Sequence, residues 1–414
     1  MCLSCIAVNV LFVHQNFPGQ YRHLPVALSR ADYKCCSIGG PASAGLRELP
    51  HVRYQLPSSA GGAPHPWAAD LNIKCQRAQA VAACVRKLVV EGFKPDLVIG
   101  HPGWGELLAI KDVLPKVPVL HHLEFVYQLY GADVGFDPEF SSQDWHAAAL
   151  LRLRRAPQLL AFHDLDHAWA PTRWQASTAP EQFRSSVTVI HEGIDTAGIR
   201  PLASAHVELR RAGLCFRVGD EVVSFVARHL EPYRGFHVFM RMLPRLQALR
   251  PGCHVVIVGG DGVSYGSPPA GGGSWKQALL KESQGHLDLS RVHFVGRVPH
   301  SVLHNLFQVS ACHVYLTYPF VLSWSLLEAM SCGAVVVGSA TPPVQEVIEH
   351  GSNGLLVDFF DAVGLANAVA DVLTAPSSYA HLGQAARQTV QQRYDLQSVC
   401  LPQQLRLVEG LAAS

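Results

Sequence analysis

Residues 222–235, with the sequence VVSFVARHLEPYRG, show how this chain is built. The first six residues form a largely apolar run of strand length, and such a run predicts a strand buried on both faces of a parallel sheet. Arg228 and Arg234 then lie six positions apart on the loop that is predicted to leave this strand. Ligands of doubly wound sheets bind beyond the carboxyl ends of the strands, so these two arginines are candidates for binding a pyrophosphate. The alternative is that both are solvated arginines on the surface.

The same pattern recurs along the whole sequence. Apolar runs of strand length alternate with longer segments of helical period, which predicts parallel strands joined by crossover helices. In the first half we predict strands at 6–13, 96–100, 117–121, 167–170 and 187–191, helices at 20–30, 69–90, 105–113 and 142–155, and a loop at 58–67. In the second half the predicted strands are 222–227, 254–259, 292–295, 313–317, 334–339 and 354–357.

The two halves indicate two domains of ordinary size, which a chain of 414 residues can form. We predict an N-terminal Rossmann-like domain at 1–195 and a C-terminal Rossmann-like domain at 196–387. The segment 194–206 carries Pro201 and turn residues, and we predict that it links them. A last helix, about 388–414, is expected to pack back on the N-terminal domain.

Composition excludes several classes of protein. Hydrophobic residues make up 49% of the chain, which is enough for globular domains. The chain has 33 Lys and Arg against 32 Asp and Glu, so it lacks the basic excess that nucleic-acid binding requires. The 11 cysteines are scattered and predict reduced thiols. Cys2 with Cys5, and Cys35 with Cys36, have no second pair at zinc-ligand spacing, so no metal site is predicted. The N-terminus does not resemble a secretion signal and no window is long enough for a membrane span, which favours a cytoplasmic protein.

Further candidate residues follow other predicted strands. Gly19, in the turn after the first strand, allows a ligand to approach the backbone closely, although such a glycine is often present for geometry alone. Val298 follows the strand 292–295 and could present backbone groups to a base. The glycine-rich loop 261–274 is predicted to be a mobile element over a site.

The segment 315–330 carries the most specific signal. A strand is predicted to end at Pro319, and a turn with Ser323 and Ser325 leads into a helix whose first N–H groups suit a phosphate. Glu328 lies in this otherwise apolar helix, where an unpaired carboxylate is costly to bury. A sugar diol would be a natural partner for it.

Taken together, and in this order, these segments resemble the retaining GT-B glycosyltransferases of family 4, also described as glycosyl transferases group 1. The run 189–195 is similar to the inter-domain segment of that family, and the run 259–262 to its glycine-rich loop. The resemblance implies two Rossmann-like domains facing across a donor-binding cleft. The N-terminal domain would lie on the acceptor side, and the C-terminal domain would bind the nucleotide sugar. It implies that the ribose of the donor contacts Glu328 and that its phosphates contact the arginine pair. The residues expected to bind the donor are Gly19, Arg228, Arg234, Gly260, Asp261, Val298, Ser323, Trp324, Ser325 and Glu328.

Two positions depart from the family pattern. Phe320 stands where the first Glu of the E-x7-E motif would be, so recognition of the donor sugar cannot be carried over from the family. Glu124 corresponds to the catalytic-pocket histidine of many members, beside His121 and His122. The candidate catalytic residues are therefore Glu124, His122 and His101.

The resemblance implies transfer of a sugar, a hexosyl group, from a nucleotide diphosphate sugar to a hydroxyl acceptor, with retention, without a metal and without a cofactor. The acceptor could be a small molecule, a glycan or a lipid-linked molecule, and peripheral contact with the inner face of a membrane is compatible with it. Two alternatives stay open: a nucleotide-sugar epimerase of GT-B fold, and a non-catalytic GT-B partner subunit. The oligomeric state is not predicted.

Overall fold

A computed structural model of the protein describes residues 8–56, 64–141, 144–209 and 212–413. The chain forms two compact units, each built from separated stretches of sequence. Unit 1 comprises Met1–Tyr130, Ser142–Glu192 and Gln397–Ser414, and unit 2 comprises Gly131–Ser141 and Gly193–Leu396.

Unit 1 is built on a sheet whose neighbouring strands are all parallel. The strand order is β3-β2-β1-β4-β5-β6-β7, so the order reverses between β1 and β4, a position called here the switch point of unit 1. The strands are β1 (Asn9–Val13), β2 (Lys34–Gly39), β3 (His51–Arg53), β4 (Leu97–Gly100), β5 (Val119–His122), β6 (His167–Ala170) and β7 (Val187–Val189).

Unit 2 repeats this topology. Its main sheet is parallel and runs β12-β11-β10-β13-β14-β15, with its switch point between β10 and β13. A short antiparallel hairpin, β8 (His206–Leu209) with β9 (Leu214–Arg217), precedes it. The main strands are β10 (Val222–His229), β11 (His254–Gly260), β12 (Val292–Gly296), β13 (Cys312–Tyr315), β14 (Val336–Ser339) and β15 (Leu355–Val357).

Helices connect and cover these strands. None of the helices in the described stretches combines the length and hydropathy needed to cross a bilayer. In chain order they are α1 (Leu24–Arg30), α2 (Ala69–Val90), α3 (Ile110–Val113), α4 (Trp145–His163), α5 (Arg173–Ser177), α6 (Phe236–Leu249), α7 (Trp275–Glu282), α8 (His300–Val309), α9 (Trp324–Ser331), α10 (Pro342–Gln345), α11 (Ala362–Thr374), α12 (Pro376–Arg393) and α13 (Leu401–Ala412).

The central strand of unit 1 is buried on both faces because helices cover the sheet on each side. Val10 and Phe12 point to a core that Leu28 of α1 and Val408 of α13 complete. Leu11 and Val13 point to the opposite core, which contains residues of α2. Successive side chains of a strand point to opposite faces, so an unbroken apolar run is what a sheet covered on both sides requires.

Unit 2 is packed in the same way around β10 and β13. On one face Phe225 of β10 stacks on Phe239 of α6, with ring centroids 4.5 Å apart. On the same sheet, Val222 belongs to the core formed with Val256 of β11 and Leu306 of α8. Helix α9 contributes Leu326 and Met330 to a separate core with β13 and β14. The packing fixes the ends of β10 and β13, which carry the predicted donor residues.

Several predicted elements change in the structure. Strand β1 begins at Asn9 and helix α3 spans only Ile110–Val113, whereas helix α4 extends to His163, with Asp144 accepting a hydrogen bond from the Ala147 N–H at its start. Residues 6–7, 58–63 and 142–143 of the predicted elements lie outside the described residues. The sequence analysis missed β2, β3 and the β8–β9 hairpin, whose strands are short or contain cysteines and charged residues.

A short segment of the first half of the chain, 131–141, belongs to unit 2. The Asp137 carboxylate lies 3.1 Å from Nε2 of His237 on α6 and accepts a 2.8 Å hydrogen bond from the hydroxyl of Tyr318. Glu139 accepts two hydrogen bonds from Arg241, at 2.6 and 2.7 Å. These contacts join residues that are distant in sequence, so the local sequence pattern did not predict them.

The segment predicted as a linker, 194–206, is fixed at its start. The Ile194 N–H donates to the carbonyl of Tyr394, and the Leu396 N–H donates to the carbonyl of Ile194. Thr196 donates to the carboxylate of Asp395 at 2.5 Å. The predicted last helix, about 388–414, is divided in the structure: α12 ends at Arg393, α13 begins at Leu401, and the chain passes from unit 2 to unit 1 between Leu396 and Gln397.

Candidate functional site

The switch point of unit 1 carries two buried histidines, His14 after β1 and His101 after β4. Each ring accepts a backbone hydrogen bond at Nδ1: His14 from the N–H of Asn16 at 3.1 Å, and His101 from the N–H of Gly103 at 3.0 Å. A neutral imidazole carries one proton, so these bonds assign it to Nε2 in both rings. The pKa of His14 is lowered to about 3 and that of His101 is also lowered, chiefly because burial disfavours the charged ring.

Glu124 leaves β5 beside this pair. One carboxylate oxygen lies 3.4 Å from Nε2 of His101, and its backbone carbonyl accepts a 2.7 Å hydrogen bond from Gln175. The carboxylate side chain remains 30% exposed. Burial alone would raise the pKa of Glu124, but the neighbouring His101 lowers it below its ordinary value. We therefore assign an ionised Glu124 beside a neutral His101 at neutral pH, an arrangement in which the carboxylate can accept a proton.

A second histidine–carboxylate group lies in the same unit. Glu192 lies 3.1 Å from His122 and 3.5 Å from His191, measured from carboxylate oxygen to Nε2. Burial would raise the pKa of Glu192, but His191 and His122 lower it to about 2. The sequence analysis missed Glu192 because it attributed the run 189–195 only to an inter-domain segment.

His122, predicted as a candidate catalytic residue, has no exposed surface. Its ring packs against Tyr21 and Trp169, with centroid distances of 5.8 and 5.4 Å. Of the three candidate catalytic residues, Glu124 is the most exposed, whereas His101 is buried beside it. The nearest carboxylate to Nε2 of His122 is that of Glu192, at 3.1 Å, and the catalytic role of His122 stays a prediction.

Gly19 lies against the ring of His14. Its backbone has φ +49°, a left-handed conformation that glycine adopts without strain. A Cβ at this position would come within 2.5 Å of Cε1 of His14. The glycine is thus required by the packing around His14, which is the geometric alternative that the sequence left open, and its contact with a donor stays a prediction.

The switch point of unit 2 carries Arg228 near the end of β10. Its side chain is exposed, and within the described residues its guanidinium makes no hydrogen bond or ion pair. The strand beside β10 is β13, whose carboxyl end leads to Ser323 and α9. An always charged guanidinium and the start of a helix therefore lie at the ends of two adjacent parallel strands.

Arg234, the second arginine of the predicted pair, is buried, which excludes for it the alternative of a solvated surface arginine. It is only 6% exposed, and its Nη1 donates to the Thr317 hydroxyl at 3.0 Å and to the Val321 carbonyl at 2.9 Å. The rings of Tyr265 and Phe320 flank its guanidinium. The 3-10 turn Pro232–Arg234, followed by a glycine at φ +66°, directs the side chain inward. Arg234 is therefore held in place by protein contacts of its Nη1, and its contact with a diphosphate stays a prediction.

Ser323 caps α9, as predicted from the sequence. Its hydroxyl accepts a hydrogen bond from the Ser325 N–H at 3.3 Å, and its own N–H donates to the hydroxyl of Tyr315 at 2.8 Å. The two serine hydroxyls lie 2.9 Å apart, and Trp324, the first helical residue, is half-buried. The turn is thus held rigidly at the start of the helix, where N–H groups favour an anion.

Glu328 is 8% exposed on α9, and one oxygen of its carboxylate lies 3.9 Å from Nε2 of His304. The sequence analysis expected a carboxylate without a protein partner, so the histidine on α8 is a new neighbour. Phe320, which replaces the first carboxylate of the family motif, is buried against Tyr233 and Tyr265, with ring centroids 5.4 and 4.8 Å away. It therefore has a packing role in this chain.

The other predicted donor residues of unit 2 lie around β11 and β12. A Cβ on Gly260 would come within 3.0 Å of both Arg297 and His229, so these side chains approach the backbone closely there. Asp261 is exposed and lies 3.9 Å from Nζ of Lys276. The side chain of Val298 packs against the core of Val256 and Leu306, which leaves only its backbone for contact with a base.

The loop 261–274, predicted to be mobile, is anchored by a buried carboxylate. Glu231 has no exposed surface and accepts hydrogen bonds from the backbone N–H groups of Ser264, Tyr265 and Gly266 at 3.0 to 3.2 Å. Trp275 also donates to the carbonyl of Ser267 at 2.9 Å. Three backbone hydrogen bonds to one buried carboxylate fix the middle of this loop.

Comparison with known families accounts for most of the chain. Residues 32–199 match the family described as "Glycosyl transferase family 4 group", and residues 211–389 match the family described as "Glycosyl transferases group 1". The chain belongs to the family 4, group 1 glycosyltransferases. The resemblance stated from the sequence is thereby confirmed at the level of the family.

Curated relatives match this chain over only part of their own length. A glycogen synthase of Mycobacterium tuberculosis is 30% identical over 215 residues, which are 52% of this chain and 46% of that protein. A D-inositol 3-phosphate glycosyltransferase of Mycobacterium avium is 28% identical over 192 residues, 46% of this chain and 42% of that protein. The chain spans about half the length of the curated relatives it matches.

Solved structures match this family member along nearly its whole length. A sucrose-phosphate synthase from Thermosynechococcus elongatus has a TM-score of 0.73 at 17% identity, covering 98% of this chain and 100% of the other. Anabaena Alr3699/HepE in complex with UDP has a TM-score of 0.66 at 18% identity, covering 97% and 100%. At these identities the likeness shows the fold alone, and the predicted GT-B fold is confirmed.

Proposed function

We propose that this protein transfers a glycosyl group from a nucleotide diphosphate sugar to a hydroxyl acceptor. The observation that carries the proposal is the exposed guanidinium of Arg228 at the end of β10, which makes no hydrogen bond or ion pair with any residue that the structure describes. It lies beside the strand β13 that leads to the capped start of α9. Negative charge grows on the diphosphate as the bond to the sugar breaks. A fixed cation and helix N–H groups stabilise that charge in the transition state.

The nucleotide is proposed to bind unit 2. Glu328 would accept hydrogen bonds from the ribose hydroxyls, while Gly260, Asp261 and the backbone of Val298 would lie toward the base. Support comes from Anabaena Alr3699/HepE, which shares the fold and whose structures hold UDP and UDP-glucose. A relative named as a GDP-mannose-dependent mannosyltransferase is 27% identical over 232 residues, so the donor panel must include both nucleotides.

Unit 1 is proposed to provide the catalytic carboxylate. Glu124 is ionised and partly exposed, and its carboxylate lies 3.4 Å from Nε2 of His101. It could take the proton of the acceptor hydroxyl or stabilise positive charge on the sugar. We propose transfer with retention by front-face attack, in keeping with the family resemblance, and a phosphate site that needs no metal.

The acceptor is proposed to be a hydroxyl of a small molecule, a glycan or a lipid-linked molecule. The transferase is proposed to act in the cytoplasm, either free or attached to the inner face of a membrane.

Phe320 affects recognition of the donor sugar, because an aromatic ring cannot accept hydrogen bonds from sugar hydroxyls as the missing carboxylate would. Recognition of the donor sugar must then come from other residues.

The test is turnover of the full chain with a panel of UDP-, GDP- and ADP-sugars and hydroxyl acceptors, with release of nucleoside diphosphate and a glycosidic product as readouts. We expect both products to form, with the anomeric configuration retained by NMR. An epimerase would convert the donor without an acceptor, and a non-catalytic subunit would bind nucleotide without turnover. Activity should survive EDTA, and loss that magnesium or manganese restores would contradict the metal-free phosphate site.

A further inference from the structure

A cluster of two histidines and a carboxylate lies between α8 and α9. His300 and His304 are separated by one helical turn, so their side chains lie on the same face of α8. Glu328 faces them from α9. One potential ligand atom of each residue lies within 4.8 Å of those of the other two, and Nε2 of His304 lies 3.9 Å from Oε1 of Glu328.

The ligand atoms of this cluster are available. Nε2 of His304 is buried and has no hydrogen-bond partner within the described residues. His300 is exposed, so its ring can change rotamer at little cost. A buried polar atom without a partner is costly, and a ligand that satisfied it would be stabilising.

A second cluster in unit 2, formed by Asp137, Glu139 and His237, provides a contrast. There Asp137 is bonded to His237 and Tyr318, and Glu139 is held by Arg241 in a bidentate pair. A cation at that place would have to break bonds that the protein already makes. Within the described residues, the side chains of His300, His304 and Glu328 make no hydrogen bond, and their one ion-pair contact is the 3.9 Å approach of His304 to Glu328.

We propose that His300, His304 and Glu328 form a binding site for Zn²⁺. Zinc takes imidazole nitrogen and carboxylate oxygen at about 2.0–2.2 Å, which places tetrahedral ligand atoms about 3.4 Å apart. The 3.9 Å between His304 and Glu328 needs only a small adjustment to reach that value. Water would complete the coordination. Magnesium prefers a shell of oxygen atoms and would bind this nitrogen-rich site poorly.

Zinc at this site would act on the proposed function through Glu328. A carboxylate that ligates zinc cannot at the same time accept hydrogen bonds from the ribose with the same oxygen atoms. Zinc should then compete with the nucleotide and inhibit transfer. This consequence rests on the proposed ribose role of Glu328, whereas the zinc site itself does not.

The experiment measures zinc binding to the metal-free full chain by calorimetry, with no donor present. Variants are His300→Ala and His304→Ala, and the matched control is His286→Ala, an exposed histidine of the same unit outside the cluster. Cobalt in place of zinc adds a second readout, because the visible absorption of Co²⁺ reports its coordination. Nucleoside diphosphate affinity is then measured with and without zinc.

We expect stoichiometric zinc binding with a tetrahedral cobalt spectrum. Mutation of a residue that supports a metal ligand typically weakens metal binding by roughly tenfold to 100-fold. Loss of a ligand itself should weaken zinc binding by more than that. His286→Ala should bind as the parent does. Absence of saturable zinc binding in the parent, or unchanged affinity in His300→Ala and His304→Ala, would overturn the site. Zinc binding that follows these variants but leaves nucleotide affinity unchanged would support the site and count against the ribose role of Glu328.

Discussion

The two switch points of this chain have the same topology and opposite chemistry. In unit 1 the ends of β1 and β4 carry His14 and His101, whose buried rings have lowered pKa values, with the ionised Glu124 beside them. In unit 2 the ends of β10 and β13 carry the exposed Arg228 and the capped start of α9. One edge is suited to proton transfer and the other to an anion.

The difference shows that the strand order fixes where a site lies but not what it does. A reversal of strand order opens a crevice at the carboxyl ends in both units. The few side chains that follow each strand then decide the local charge. The same contrast exists within unit 2, where Arg228 and Arg234 lie six residues apart but one is exposed and the other buried.

The largest expected effect is on stability, at Arg234. Arg234→Ala would leave the Val321 carbonyl without its 2.9 Å hydrogen bond and remove a side chain packed between Tyr265 and Phe320. We expect the free energy of unfolding to fall by about 3 kcal/mol, measured by urea denaturation of the full chain. Arg228→Ala is the matched control and should stay within about 0.5 kcal/mol of the parent. Equal stability of the two variants would contradict the contrast between them.

The next effect is on turnover, at Glu124. Glu124→Gln keeps the shape of the side chain and removes its charge, so turnover should fall by roughly 100-fold or more while nucleotide affinity stays nearly intact. Glu181→Gln, at an exposed position of the same unit, serves as control. The measurement is kcat with binding of the nucleoside diphosphate determined separately. Turnover within a few-fold of the parent would make Glu124 a structural residue, and His121, His122 and His101 would be changed next.

Acid should destabilise the fold through the buried histidines of unit 1. Burial lowers the pKa of His14 to about 3 and that of His121 to about 4, so between these values and the unfolded pKa of about 6.5 the unfolded chain binds more protons. Stability is therefore lost as the pH falls from 7 to 5, by up to about 2 kcal/mol for each such ring. His14→Gln should reduce this pH dependence by about that amount, and an unchanged slope would count against a neutral, buried His14.

The smallest effect concerns donor affinity at Arg228. Its charge-assisted bonds to a diphosphate should contribute about 1.5 kcal/mol, so Arg228→Ala should weaken nucleoside diphosphate binding by about tenfold. Arg228→Lys should recover part of this loss because a charge remains but the bidentate geometry does not. Calorimetric titration provides the measurement. Equal affinity of Arg228→Ala and the parent protein for the nucleoside diphosphate would contradict the anion-binding role of this edge.

Sequence patterns predicted the parallel strands well where they were long and apolar, because such runs can be buried only in a sheet covered on both sides. Strand β6 has the predicted bounds, and β10 and β11 extend one or two residues beyond theirs. The patterns failed for β3, which has only three residues, and for the antiparallel β8–β9 hairpin. They also could not show that Arg234 is buried, because a side chain's burial depends on residues far away in sequence, such as Thr317 and Val321.

By itself, the sequence determined the two α/β halves, the family and the residues that follow each strand, since these depend on local hydrophobic period and on order along the chain. Only the tertiary structure decided how those residues are partnered. It joined His101 to Glu124 and Glu192 to His122, and it placed His304 beside Glu328. Such pairs form between residues distant in sequence, and their charges and exposure arise from packing, which no local pattern specifies.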